Sequence, residues 1–299
     1  MTSAPGRRSL ENARESLTVS LLSGQCRAVE RVLEQAAALE RIAARVAEAL
    51  SSGGRLVYVG AGASGLLAMQ DGLELPGTFS LDPQRIRFVT PNGQRFLIDS
   101  SGEDDEDSAA HEIDALGLGA ADIVLAVSAS GATPFSLAAA RRAKASGASV
   151  AAIVCRLSSP LAALADVSAA FDVGVEAIEG STRLAAGTAQ KAALSVISTL
   201  ACAELGLVHD GLMINVRPQN AKLRERARSI VVRVAQVGEI EAIEALEAAS
   251  GDVATAIIIA AGGLDPAAAS RLLYECGGNV ATVLARLDAE DPQTRQARA

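Results

Sequence analysis

Apolar residues recur at three- and four-residue intervals from Val29 to Leu50 (VERVLEQAAALERIAARVAEAL), with Glu and Arg between them, and Ser51-Ser52-Gly53-Gly54 follows. That period predicts an amphipathic helix ended by the Ser/Gly run. The pattern then changes. Arg55–Gly60 (RLVYVG) is a short continuous apolar run that enters a glycine-rich turn, and a helical stretch begins at Ser64. The unit repeats: Asp122–Ser128 (DIVLAVS) leads into Ser-Gly-Ala-Thr-Pro and a helix through Lys144. Ser149–Val154 (SVAAIV) is a third run, Ala169–Val175 a fourth, and Ile86–Val89 a weaker strand between the first two. Short buried strands alternating with helices predict right-handed crossovers and an α/β fold with a doubly wound parallel sheet.

Beyond Gly180 the alternation stops. Thr182–Leu205 is a long Ala-rich helical stretch and Asn220–Val237 another. From Ile240 to Leu287, four short helical pieces are separated by Gly251, by Gly262-Gly263-Leu264-Asp265-Pro266 and by Gly277-Gly278, and the polar stretch Asp288–Ala299 is expected to fray. The expected organisation is an N-terminal helical segment (1–50), an α/β ligand-binding domain (51–235) and a small all-α C-terminal module (236–299).

Charge narrows the partners. The 299 residues carry 27 Lys and Arg against 35 Asp and Glu, a formal net charge of −8. Phosphate-backbone and anionic-membrane binding need the opposite sign. Aromatics are 2% with no Trp, so base-stacking platforms are not expected, and no nucleic-acid or membrane partner is read here. The four cysteines (Cys26, Cys155, Cys202, Cys276) are far apart and form no CxxC pair. That spacing argues against a zinc site or disulfide framework and for a reducing, cytoplasmic setting. Met1–Arg14 has no apolar core of a secretory signal, and the longest apolar stretch, Val253–Ala261, is far short of a membrane span. His111 and His209 are isolated, without metal-ligand spacing, so packing or surface roles are expected; no metal or cofactor is predicted.

In open parallel sheets, ligands lie beyond the carboxyl ends of the strands. After the first strand stands Gly60-Ala61-Gly62-Ala63-Ser64-Gly65. Small residues here let backbone N–H groups approach an anion, with the Ser64 hydroxyl at a helix N-terminus; a tight strand-to-helix turn asks for the same glycines. After the second long run, Ser128-Ala129-Ser130-Gly131-Ala132-Thr133-Pro134 sets three hydroxyls around Gly131 at a helix start. Ser130 also suits a plain helix N-cap, but three hydroxyls at a dipole end, with a second Gly/Ser loop, point to a phosphate monoester. Neither loop has a Lys or Walker spacing, which argues against nucleoside triphosphate hydrolysis. Two carboxylates belong to loops on this edge. Glu74 precedes Pro76, expected to end its helix, and Glu103 opens the run Glu103-Asp104-Asp105-Glu106-Asp107, which equally fits the first turn of a helix.

Gly60–Thr78, Ser128–Pro134 and above all Gly180-Ser181-Thr182-Arg183-Leu184-Ala185-Ala186-Gly187-Thr188-Ala189-Gln190-Lys191 resemble the sugar isomerase (SIS) fold. Within it they are similar to the N-acetylmuramic acid 6-phosphate etherases, as are Asn220-Ala221-Lys222-Leu223 and the helical C-terminal module; the match covers about Arg27 to Leu287. Four departures stand out: Leu66 where the family has Arg, Ala185 where it usually has Lys, Pro91-Asn92-Gly93 for an Ala-Gly-Gly turn, and no clear counterpart of the family's N-terminal signature in Met1–Ser20.

The resemblance implies a flavodoxin-like doubly wound sheet, a homodimer and a lyase of peptidoglycan recycling. Such an enzyme cleaves the D-lactyl ether of a hexose 6-phosphate by elimination and water addition. By position in the motifs, Glu103 corresponds to the family's base and Glu74 to its acid. Gly62, Ser64, Ser128, Ser130, Gly131 and Thr133 correspond to its phosphate site, and Ser181 and Lys191 to further substrate contacts. A non-catalytic phosphosugar regulator and a phosphosugar isomerase are the alternatives. A regulator would need neither Glu74 nor Glu103.

Overall fold

The structure, a computed structural model, describes residues 6–97, 99, 101–216 and 221–290. Residues 1–5, Asn220 and the terminal stretch 291–299, on which some of the expectations above fall, lie outside it. The chain forms two compact units, residues 1–73 with 83–200 and residues 74–82 with 201–299.

The first unit is built on five parallel strands: β1 (Leu56–Gly60), β2 (Ile86–Val89), β3 (Ile123–Ser128), β4 (Ser149–Val154) and β5 (Val167–Ala170). Their order, β2-β1-β3-β4-β5, is the flavodoxin-like one. β1 and β3 are buried along their whole length, which is why they read as continuous apolar runs. Val57, Val59, Val124, Ala126, Val150 and Ala152 join one core with residues of α4 (Glu106–Leu116) and α5 (Pro134–Ala145).

Three expectations are corrected. The helical period over 29–50 is two helices, α1 (Gly6–Leu33) and α2 (Ala36–Ser51). Gln35 N donates to Val32 O at 3.0 Å and Gln35 O accepts from Ala38 N at 2.8 Å, so the chain turns there. The period hides the break because Ala28 and Val32 before it, and Leu39 and Ile42 after it, are all buried. The last strand starts two residues early and ends at Ala170, where Phe171 N donates to Val154 O; Val175 is exposed. Finally, Pro76 lies inside α3 (Gly62–Phe79) rather than ending it. It stands in the last turn, where its missing N–H interrupts a single helical bond.

The second unit gathers α8 (Ala221–Ala235), α9 (Glu239–Ala248), α10 (Val253–Gly262), α11 (Pro266–Glu275) and α12 (Val280–Glu290). α10 is apolar on all sides (VATAIIIAAG) because it packs against each of the other four. Asp252, Asp265 and Asn279 accept from the N–H three residues on, at 2.7, 2.9 and 3.0 Å, and so set the starts of α10, α11 and α12. The units divide differently from the segments drawn on the sequence. α2 packs on β1, β3 and β5 and is part of the sheet unit. α8 buries Ala227, Ile230 and Val231 in the helical core, so it leaves the sheet domain. A small hairpin, β6 (Val208–His209) with β7 (Leu212–Met213), is too short to show a period and escaped the sequence reading. Among the described residues no single helix is long and apolar enough to cross a membrane.

Candidate active site

The amino end of the sheet is fastened by charge. Asp122 Oδ1 accepts from Arg55 N at 2.8 Å and Nε at 3.0 Å, and Oδ2 from Arg55 Nη2 at 2.8 Å and Gly119 N at 2.9 Å. Burial pushes the Asp122 carboxyl up, but the guanidinium and the two backbone N–H groups outweigh it and hold the carboxyl below its ordinary value. The carboxyl ends of the strands are thereby left to the glycine- and hydroxyl-rich loops.

At the end of β1, the glycines divide their work. A methyl group on Gly60 would stand 2.9 Å from Gly65 Cα, and one on Gly65 would stand 2.7 Å from Gly60 O, so this pair serves the tight strand-to-helix turn. Gly62 serves something else. Its φ is +53°, and a methyl group there would stand 2.5 Å from Glu103 Oε1. The predicted base is lodged against a glycine with no side chain to exclude it.

The acidic run around Glu103 resolves into separate roles. Asp105 is the N-cap of α4 and accepts from Ser108 N at 2.9 Å; Glu106 and Asp107 form the dipole-favoured first turn. Glu103 precedes the helix, and its carbonyl accepts from Phe135 N in the first turn of α5 at 3.0 Å. That bond ties Glu103 to the loop after β3.

In that loop, Ser128 Oγ lies 3.0 Å from Thr133 Oγ1 and accepts from Gly131 N at 3.1 Å. Ser130 is not the helix cap. Thr133 holds that position without a side-chain cap bond, and Ser130 Oγ accepts from Ala132 N at 3.1 Å. Gly131 has φ +63°, and a methyl group on it would overlap Ser159 Oγ, so the loop folds tightly over the start of α6 (Pro160–Leu164). The result is three hydroxyls and the N-terminus of α5 grouped at one strand end, the donor set an anion asks for.

The Gly180–Lys191 stretch forms a turn and then α7 (Ala185–Glu204). Ala185 is buried, and its N–H with that of Ala186 donates to the Glu176 carboxylate, each at 2.9 Å. Ser181 is half-buried in the turn; Lys191 is exposed, with Nζ 3.5 Å from Ser195 Oγ on its own helix. The neighbouring Gln190 points inward, 1% exposed, and its Oε1 accepts from Ser64 Oγ at 3.0 Å. The sequence reading passed over Gln190, although it interrupts the buried stripe Ala186-Ala189-Ala193-Ile197. A cavity of about 480 Å³ is lined by Ser130, Arg156, Glu176, Glu179, Gly180 and Thr182 among others. Cys155 also lines it, its thiol pushed up to about 12 by burial and by the nearby Glu176 charge, which removes it as a nucleophile.

The structure thus brings Gly62 to Glu103, Glu103 to the loop holding Ser128, Ser130, Gly131 and Thr133, and Ser64 to α7. Glu74 belongs to the second unit; it is helical and exposed on α3 instead of lying in a loop. A groove of about 530 Å³ in the second unit, lined by Arg224, Arg228, Ile243 and Leu246 among others, contains none of the predicted site residues. His111 is exposed on α4 and His209 lies in β6. Among the described residues, no group of three or more His, Cys, Asp or Glu is placed to hold a metal ion.

The model of the SIS domain matches residues 25–155. An N-acetylmuramic acid 6-phosphate etherase of Streptomyces avermitilis is 41% identical over 255 residues, covering 84% of this chain and 82% of that one. A Deinococcus radiodurans protein of the same name is 40% identical, over 91% of this chain and 90% of its own. N-acetylmuramic acid 6-phosphate etherase 1 of Enterococcus faecalis is 39% identical, over 86% of each. With the flavodoxin-like sheet and both strand-end loops in place, this chain belongs to the N-acetylmuramic acid 6-phosphate etherase family.

Proposed function

We propose that this protein is a carbon–oxygen lyase that cleaves the D-lactyl ether of N-acetylmuramic acid 6-phosphate, giving N-acetylglucosamine 6-phosphate and D-lactate. The observation that carries the reading at the site is the seating of Glu103 against Gly62, tied by its backbone to the hydroxyl loop after β3. The phosphate is held by Ser64, Ser128, Ser130 and Thr133, with Gly62 and Gly131 letting backbone approach; the cavity beside Ser130 has the volume usual for a small-ligand site. Glu103 accepts the C2 proton of the opened sugar. The C3–oxygen bond then breaks, its electron pair leaving with lactate, which takes a proton from Glu74. Water adds at C3 of the unsaturated aldehyde, and C2 regains a proton.

The protein acts as a homodimer in the cytoplasm, in the recycling of peptidoglycan amino sugars. The free thiols accord with a reducing compartment. Exposed Leu17, Val19, Leu22, Val29 and Leu33 on α1 support the dimer.

The test is incubation with N-acetylmuramic acid 6-phosphate in heavy water, followed by mass. Lactate release with deuterium at C2 of the product is expected; isomerisation or no change overturns the reading. Glu103→Gln, which keeps size but cannot accept a proton, abolishes both signals. Glu74→Gln slows lactate release by about 10²- to 10⁴-fold while C2 exchange continues. Wild-type exchange in Glu103→Gln refutes its role as base.

A further inference from the structure

Among the described residues, two buried side-chain atoms have no hydrogen-bond partner: Ser136 Oγ and Gln190 Nε2. A buried amide N–H without an acceptor is destabilising, and Gln190 is 1% exposed. Turning the carboxamide over does not remove the penalty. Nε2 then donates to Ser64 Oγ, and Oε1 takes the unpartnered place. The two orientations differ in what they leave Ser64 free to do. A serine hydroxyl has a single proton. While Gln190 Oε1 accepts it, at 3.0 Å, Ser64 offers only lone pairs to the loop after β1, and lone pairs repel a phosphate oxygen. When Nε2 donates instead, the proton is released toward the ligand.

We infer that Gln190 is a positioning residue that decides where the Ser64 proton points, its carboxamide turning over when phosphate binds. The inference rests on the reading that Ser64 holds the substrate phosphate. Gln190, behind Ser64 on α7, acts on the ligand only through that hydroxyl. Its effect therefore falls on binding, not on the chemical steps at C2 and C3.

The experiment is a double-mutant cycle on the full chain, with N-acetylglucosamine 6-phosphate binding read by calorimetry and KM and kcat by lactate release. As a carboxylate, Gln190→Glu can only accept and so holds the Ser64 proton; burial favours its neutral form, so binding is followed from about pH 6 to 9 and the loss must grow as the carboxyl ionises. It is expected to weaken binding and raise KM by about 10-fold or more with kcat within about threefold of wild type. Gln190→Met, which leaves the proton free, is milder. In a Ser64→Ala background, Gln190→Glu costs less than about threefold, because the relay it disturbs is gone.

Losses of equal size in both backgrounds overturn the inference, since charge would then act on the phosphate directly. So does a Gln190→Met variant worse than the nearly isosteric Gln190→Glu, the mark of a packing role. If Gln190→Glu does not fold, the cycle is run with Gln190→Met, whose smaller loss must likewise vanish in Ser64→Ala. A wild-type chain that binds no hexose 6-phosphate overturns the functional reading and this inference with it; wild-type binding with additive losses overturns this inference alone.

Discussion

At the scale of single residues, Gly62 and Glu103 form one device. Gly62→Ala puts a side chain into a left-handed conformation, which destabilises by about 1–2 kcal/mol, and drives its methyl group into the Glu103 carboxylate. Displacement of a reacting group by about 1 Å is enough to cost about 10²-fold in turnover, which is the drop expected here. Gly53→Ala is the control. It also has positive φ (+85°), but nothing lies within 4 Å of the added methyl group, so it melts earlier with kcat retained. Equal kcat losses in the two variants would show that strain, not the collision with Glu103, is responsible. Sequence carried this site only part of the way. Residue types and spacing marked both loops, yet they left Glu103 among its neighbouring acids except by family resemblance. The structure gives them different surroundings, Glu103 against Gly62 and Asp105 at the cap of α4. The pairing of Gln190 could not be read, because its partner Ser64 lies 126 residues away.

At the scale of elements, strands were the legible part. β1, β3 and β4 are short apolar runs because each is buried on both faces, and burial writes itself into local composition. The turn between α1 and α2 and the assignment of α8 to the helical core were not legible. An apolar stripe records that a helix is buried, not which neighbour buries it. The joint at the amino end of the sheet makes its own prediction. Asp122 has a lowered folded-state pKa, so its contribution is present above the ordinary carboxylate value of 3.8 and is lost as pH falls through the lower folded value. Asp122→Asn should reduce stability at neutral pH by about 1.5–3 kcal/mol, the worth of hydrogen bonds to a charged group. It should also flatten the fall of stability below the ordinary carboxylate range, leaving the part due to Asp166, which burial raises but Lys144 and Val150 N–H lower further. Urea unfolding across that range measures both; an unchanged acid slope would show that Asp122 does not drive it.

For the molecule as a whole, α1 is the element whose surface asks for a partner. Leu22 is 58% exposed and Leu33 75%. The proposed dimer predicts that the wild-type chain sediments as a dimer and that Leu22→Glu and Leu33→Glu sediment as monomers, with melting temperature unchanged at low protein concentration; a dimer that persists in both variants places the interface elsewhere. The thiols offer a different kind of access. Cys26 is exposed, whereas Cys155 is buried, with Sγ–H directed at Ala186 O at 3.6 Å and a pKa near 12. Reagents attack the thiolate, so in the closed molecule Cys155 is silent at neutral pH. Cys155 joins the carboxyl end of β4 to α7 and lines the cavity beside Ser130, through which a reagent reaches it. Its alkylation rate is therefore a built-in clock for access to the ligand-facing edge. A phosphosugar that favours the closed form must slow that clock, by a factor that gives its affinity without any turnover.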